Sequence, residues 1–401
     1  MDKMIKSQIT YGKNVYGSEE INAVLKRLKQ TTQMSTSVKA FEKKIAKKFN
    51  KKYGIMVNSG SSAIHLGLKI LNLKKNSEVI VPCLNFGTAI SSLIFCDLKP
   101  IFVDVNIKTL QIDENLIEKK INSKTTAIMV PNLIGNIPNW KRIKKIATKY
   151  NLKIIEDSAD TLGAKIDKKS TGFYSDMSIT SFYGSHIISC AGNGGMLMLN
   201  NKQNYKKGLI LRSWGRLSST LKNSEDINKR LDINLMGVNY DRKFVFAEQG
   251  FNFEPSELGA TFGLQQLLKF EKFQKIRNKN FNFHQKFFLK LKKYFIPVEI
   301  NKDIITNFLA YPVILKPEIK FNRKKLQIYL EKNNIQTRPI FSGNILRHPG
   351  FKNLINKNNK LNSFPGADYI MKNGILIGCH QGLKKKQLIY IHEKILKFIN
   401  S

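Results

Sequence analysis

The chain has 401 residues, with 67 Lys plus Arg against 29 Asp plus Glu, a formal charge of +38. At 42% hydrophobic and 10% aromatic it is globular in composition, which excludes an intrinsically disordered chain, and it is long enough for two or three domains. About one residue in six is basic, spread over the whole length without a basic tail. A helix is expected near residues 18–30. Val38, Phe41, Ile45 and Phe49 then recur at helical spacing behind Ser37 as an N-cap. Gly54-Ile55-Met56-Val57 reads as a strand, broken by Asn58-Ser59-Gly60-Ser61-Ser62, and Ala63 to Leu71 reads as a helix. Strand-like runs follow at Val79–Val81, Ile101–Val103, Ala127–Val130, Lys153–Glu156, Ser178–Phe182 and Gly195–Leu199. Helix-length segments near 88–97, 114–122 and 139–150 lie between them. This alternation predicts an α/β fold with a mostly parallel sheet covered on both faces, in a large domain over 36–275. After about residue 275, Lys/Asn/Phe-rich stretches surround fewer strand signals: Ala310–Leu315, Ile335–Pro339 and Gly374–Gly378. Lys384 to Phe398 reads as a closing amphipathic helix. These predict a smaller α+β domain over 276–401, packed with an N-terminal segment over 1–35.

Several function classes fall away. Met1-Asp2-Lys3 opens into polar sequence without the apolar region of a secretory signal. The most apolar stretch, Val79 to Val105, is interrupted by Pro82, Asn85, Asp97, Lys99 and Pro100, which excludes a membrane span. The charge alone would suit a polyanion binder, yet no zinc-finger spacing, recognition helix or RNA-binding signature accompanies it. The expectation is a cytoplasmic enzyme with a solvated basic surface and neither nucleic acid nor membrane as partner. Cys83, Cys96, Cys190 and Cys379 stand far apart with no C-x-x-C pair. That argues against a metal site or iron–sulfur motif and for reduced thiols.

Three segments carry candidate chemistry. In Val57-Asn58-Ser59-Gly60-Ser61-Ser62-Ala63 a strand runs into a helix. A helix N-terminus has unpaired N–H groups and partial positive charge, Gly60 permits close approach, and Ser61 and Ser62 offer hydroxyls, a combination suited to a phosphate. The same residues would equally make a simple cap. Asp157 and Asp160 follow the apolar strand Lys153–Glu156, and ligands of open α/β sheets bind beyond the carboxyl ends of strands. A carboxylate there can pair with a cationic ligand atom, or it is an exposed acidic turn. Thr180-Ser181-Phe182-Tyr183-Gly184-Ser185-His186, followed by Gly192-Asn193-Gly194-Gly195, places a His in a Gly/Ser-rich loop, as a general acid/base requires. From Ser170 to Asn201 the sequence has no Lys or Arg.

These pieces, in this order and spacing, resemble the DegT/StrS family of sugar aminotransferases over roughly residues 10 to 390. The resemblance implies the aspartate-aminotransferase-like fold (PLP fold type I), pyridoxal 5'-phosphate as cofactor, and a homodimer with shared active sites. It implies that Gly60, Ser61 and Ser62 hold the phosphate, that Phe86 of Asn85-Phe86-Gly87-Thr88-Ala89 stacks on the ring, and that Asp157 pairs with the pyridine nitrogen. Asp160 and Ser181 flank the cofactor by the same likeness. Asn252 of Gly250-Phe251-Asn252 would reach a neighbouring subunit's cofactor, and Arg338 of Thr337-Arg338-Pro339 would bind substrate.

One departure matters most. Where the aminotransferases carry the lysine that forms a Schiff base with the cofactor, this chain has His186. Imidazole cannot form that link but can still move protons. The exchange resembles the 3-dehydratases of nucleotide-linked 4-keto-6-deoxy sugars, and Asp160, Tyr183 and Gly343-Asn344 agree with that branch. Arg212-Ser213-Trp214-Gly215-Arg216 and Tyr240-Asp241-Arg242-Lys243 look like its iron–sulfur members, yet no Cys lies between Cys190 and Cys379. The expectation is therefore a cluster-free reaction with L-glutamate and an NDP-4-keto-6-deoxy sugar. Glutamate would charge the cofactor to its pyridoxamine form and His186 would move the protons. Asp157 would keep the pyridine nitrogen protonated, and the products would be a 3-deoxy-4-keto sugar and ammonia. An aminotransferase using a lysine from elsewhere, and a cofactor-binding paralogue without chemistry, remain as alternatives. Asn193 stands where the family has Glu, without an evident consequence.

Overall fold

The computed structural model describes residues 7–221, 225–231, 233–301 and 303–401, so Met1-Asp2-Lys3 lies outside the described residues. The short apolar runs become the seven strands of one sheet. They are β1 (Tyr53–Val57), β2 (Glu78–Pro82), β3 (Lys99–Val103), β4 (Thr125–Pro131), β5 (Lys153–Asp157), β6 (Met177–Ser181) and β7 (Gly195–Leu199). Their order across the sheet is β1-β7-β6-β5-β4-β2-β3. β7 is antiparallel to both its neighbours and every other pairing is parallel. All strands but β7 therefore deliver their carboxyl ends to one edge.

Alternation along the strands divides their side chains between two covering layers. Ile80, Ile128 and Ile154 meet Trp140, Ile143 and Ile146 of the helix Trp140–Lys149. Val79, Val81, Met129 and Ile155 meet Ala63 and Leu66 of the helix Gly60–Leu71, with Ile90 and Leu93 of Gly87–Phe95. The segment 114–122 is not an α-helix: it holds a 3-10 turn at Glu118–Lys120. The Asp113 carboxylate accepts from the Asn115 N–H at 3.0 Å, a local bond that competes with helix formation.

The second sheet has β8 (Phe295–Ile296), β9 (Tyr311–Leu315), β10 (Arg338–Pro339) and β11 (Gly374–Ile377), in the order β8-β9-β11-β10 and antiparallel throughout. Phe281 and Phe288 of the long helix Phe270–Lys290 close its core with Leu326, Leu330, Ile391 and Ile395. The amino-terminal segment touches both units. Ile9 bridges Ile335 and is buried in the second core. The helix Ser18–Leu28 instead reaches the first unit, where Glu20 accepts from Gln266 at 2.8 Å and from Lys269 at 2.7 Å.

Candidate functional site

A pocket opens at the carboxyl edge of the large sheet. β1 leads into it through Ser59, Gly60 and Ser61, β5 through Asp157 and Asp160, and β6 through Ser181, Tyr183 and His186. Phe86 and Thr88, at the start of Gly87–Phe95, and Asn193 and Gly194, before β7, complete this side. Phe341 closes it from the second unit.

Each element has a local reason for its position. The Ser59 Oγ accepts from the Ser62 N–H at 3.1 Å and caps the helix that starts at Gly60. That cap lies directly on the sheet: a Cβ on Gly60 would come within 2.8 Å of the Ser181 Cβ. A Cβ on Gly195 would come within 2.1 Å of the Ser59 carbonyl oxygen. The Ser61 Oγ donates to the Thr88 Oγ1 at 2.8 Å, joining two helix N-termini side by side. Their free N–H groups favour an anion. His186 lies in the hairpin that returns β6 into β7, held by the Gly184 N–H to the Gly192 carbonyl at 3.0 Å. Gly192 (φ +114°) and Gly194 (φ +153°) supply backbone conformations that a side chain would strain.

The electrostatics separate the pocket into two poles. Among the described residues its lining contains Asp157, Asp160, Tyr183 and His186 but neither Lys nor Arg. Burial raises the Asp157 carboxyl to about 6, against the Ala159 N–H that it accepts, and the neighbouring Glu156 charge adds to the rise. Burial raises Asp160 to about 7, although it accepts from the Ile134 N–H at 2.8 Å, and Asp157 pushes it further up. No cation among the described lining residues lowers either, so a positively charged ligand atom would meet an unmatched carboxylate. Burial holds His186 down at about 4, opposed by the Ser181 main chain and reinforced by the charge of Arg277. Its imidazole is neutral at neutral pH, and its Nδ1 is buried without a hydrogen-bond partner. Such an orphaned nitrogen beside an anion-favouring pole and an unmatched acid fits a phosphorylated, cationic ring.

The structure brings Gly60, Ser61, Phe86, Asp157, Asp160, Ser181 and His186 together and leaves three expected residues outside. The Ser62 Oγ turns back to the Asn58 Oδ1 at 2.6 Å, within the cap. Asn252 is exposed, its carbonyl accepting from the Asn58 Nδ2 at 3.4 Å. Arg338 is exposed with its guanidinium 5.1 Å over the Tyr11 ring. Sequence reasoning did not single out Phe341. Its ring meets Phe86 edge-on at 6.3 Å, and its φ of +46° would have left no readable mark in the sequence. Among the described residues, no cluster of His, Cys, Asp and Glu could hold a metal ion, and no helix is long and apolar enough to cross a membrane.

An acid beyond a parallel strand, a serine-capped helix start and a reversing hairpin on this sheet define the aspartate-aminotransferase-like architecture, PLP fold type I. Within it, the chain belongs to the DegT/DnrJ/EryC1/StrS aminotransferase family, whose model matches residues 15–396. It is 31% identical to the lipopolysaccharide biosynthesis protein RfbH of Salmonella typhimurium, over 90% of this chain and 84% of the relative. It is 28% identical to a GDP-perosamine synthase of Escherichia coli O157:H7, over 90% of each chain. A crystal structure of GDP-4-keto-6-deoxymannose-3-dehydratase with a trapped PLP-glutamate geminal diamine superposes with a TM-score of 0.85. That match has 26% identity and covers 96% of this chain and 99% of the other.

Proposed function

We propose that the chain is a PLP/PMP-dependent 3-dehydratase. It would remove the carbon-3 hydroxyl of a nucleotide-linked 4-keto-6-deoxy hexose, using L-glutamate and no iron–sulfur cluster, in cytoplasmic deoxysugar synthesis for surface polysaccharide. The observation that carries this reading is a pocket lined by His186 and, among the described residues, by no lysine. The similarity to a GDP-perosamine synthase keeps the aminotransferase as the second reading. That chemistry needs a lysine, and none lines the pocket among the described residues.

Gly60 and Ser61 would hold the cofactor's phosphate, Phe86 its ring face and Asp157 its ring nitrogen, with Ser181 and Asp160 beside it. Bound there, the pyridoxamine form supplies an amine for the carbon-4 ketone and a ring that accepts electrons. Paired with a cation, Asp157 is drawn below about 6 and stays ionised, which keeps the ring nitrogen protonated. Neutral His186 takes a proton at an imidazole nitrogen, and the imidazolium so formed can return it to the leaving hydroxide. Burial favours that return, because it disfavours the charged form. Phe86 and Phe341 cover the pocket with apolar surface and limit water. Ser62 lies in the cap that orients Gly60 and Ser61. In the homodimer of this reading Asn252 serves the neighbouring subunit's cofactor and Arg338 the substrate.

The test is borohydride treatment of the PLP-loaded protein followed by mass spectrometry. A 3-dehydratase of this design leaves every lysine unmodified. A pyridoxyl-lysine would establish the aminotransferase reading instead.

A further inference from the structure

We propose that Arg277 is a positioning residue for His186, fixing the hairpin from behind and keeping the imidazole in the neutral form that accepts a proton. The inference deepens the reading of His186 as general base and rests on it. Arg277 lies in the helix Phe270–Lys290 and is 0% exposed. Its Nη2 donates to the His186 carbonyl at 3.3 Å. Its Nη1 donates to the Phe308 carbonyl at 2.9 Å and the Leu309 carbonyl at 3.0 Å, and its Nε to the Gln381 Oε1 at 2.6 Å. Every one of these acceptors is neutral. A fully buried cation bonded only to neutral oxygens keeps its charge unmatched, and in a low-dielectric interior that charge acts strongly on its neighbours.

The neighbour that matters is the imidazole on the residue whose carbonyl Arg277 holds. The ionisable groups around that imidazole are Asp157 and Asp160 across the pocket and Tyr183, whose ring centroid is 5.9 Å away. His380 shares the field of Arg277. Imidazolium has no lone pair to accept a proton, so a general base at this position must stay neutral. Burial opposes the charged form first, and the charge of Arg277 adds to it from the rear. The same four hydrogen bonds tie the hairpin to Phe308, Leu309 and Gln381 of the second unit, so one side chain sets both the aim and the protonation of His186.

The experiment is NMR titration of the histidine rings in the unloaded, isotope-labelled full chain, with His186→Asn identifying the His186 signal. Arg277→Gln removes the charge and Arg277→Lys keeps it. Gln381→Glu leaves Arg277 in place and sets a carboxylate against its Nε. His186 is expected to titrate about half a pH unit or more higher in Arg277→Gln and Gln381→Glu, and to stay closer than that to the wild-type value in Arg277→Lys. The acidic limb of ammonia release should move with the titration. A signal that titrates alike in all four proteins would reduce Arg277 to a structural strut and overturn the proposal. If Arg277→Gln does not fold, Gln381→Glu decides alone. The expected titration pattern in a protein that releases no ammonia would leave the positioning role standing and refute the dehydratase reading.

Discussion

Replacing Gly60 by Ala tests whether the close contact between the capped helix and β6 builds the phosphate pole. The added Cβ would stand 2.8 Å from the Ser181 Cβ and 3.2 Å from its Oγ. Carbon atoms pack best at about 3.5–4.0 Å, so the first turn of Gly60–Leu71 must retreat from β6 by roughly 1 Å, or Ser181 must move as far. The neighbouring contact of Gly195 with the Ser59 main chain leaves little room to yield. Overpacking of this kind costs about 1–3 kcal/mol of stability. Displacing site groups by about 1 Å can cost on the order of a hundredfold. Titration of the unloaded variant with PLP, followed by absorbance, should show affinity lowered at least about tenfold, and the urea midpoint should fall with it. A folded Gly60→Ala protein that binds PLP within twofold of wild type would refute the phosphate reading of this loop.

His186→Asn should retain the cofactor's absorbance but lower glutamate-dependent ammonia release by about a hundredfold to ten-thousandfold; near-native release would remove His186 from the chemistry. Phe86 is 56% exposed in this chain. Phe86→Ala should therefore leave the urea midpoint nearly unchanged while weakening PLP binding about three- to tenfold, the value of one aromatic stack; unaltered affinity would contradict the stacking role. His284 and His392 bond at 2.9 Å inside the second core, and burial holds them at about 4 and about 3. The unfolded chain binds protons first, so the stability they contribute is present above about pH 6.5 and is lost on acidification toward the folded values. His392→Gln should reduce the stability lost between about pH 6.5 and 5 by up to about 2 kcal/mol, read from urea midpoints; an undiminished loss would place the acid sensitivity elsewhere.

The large sheet was legible because each of its strands is a short apolar run that period and length mark clearly. The expected Ile101–Val103 and Gly195–Leu199 fall within β3 and β7. Asp157, Asp160, Ser181 and His186 were legible because they sit next to strand ends in sequence as well as in space. Other features depend on contacts between distant parts of the chain. Arg277 reads as one more basic residue on a Lys-rich helix, and its role exists only where Phe308, Gln381 and His186 converge. Phe341 closes the pocket from a loop that carries no periodic signal. Asn252 and Arg338 are both exposed and lie outside the pocket, so no pocket contact marks them. The segment 114–122 misled because Leu116, Ile117 and Ile121 have helix-like spacing, while they dock as a turn on the layer around Trp140.

The reaction itself can be followed with a single label. Glutamate carrying 15N, incubated with the PLP-loaded protein and an NDP-4-keto-6-deoxy hexose, delivers its nitrogen to one of two places. A 3-dehydratase that works through His186 releases it as free ammonium beside a 3-deoxy-4-keto sugar. Recovery of the 15N in an amino sugar would contradict that chemistry and make the chain an aminotransferase.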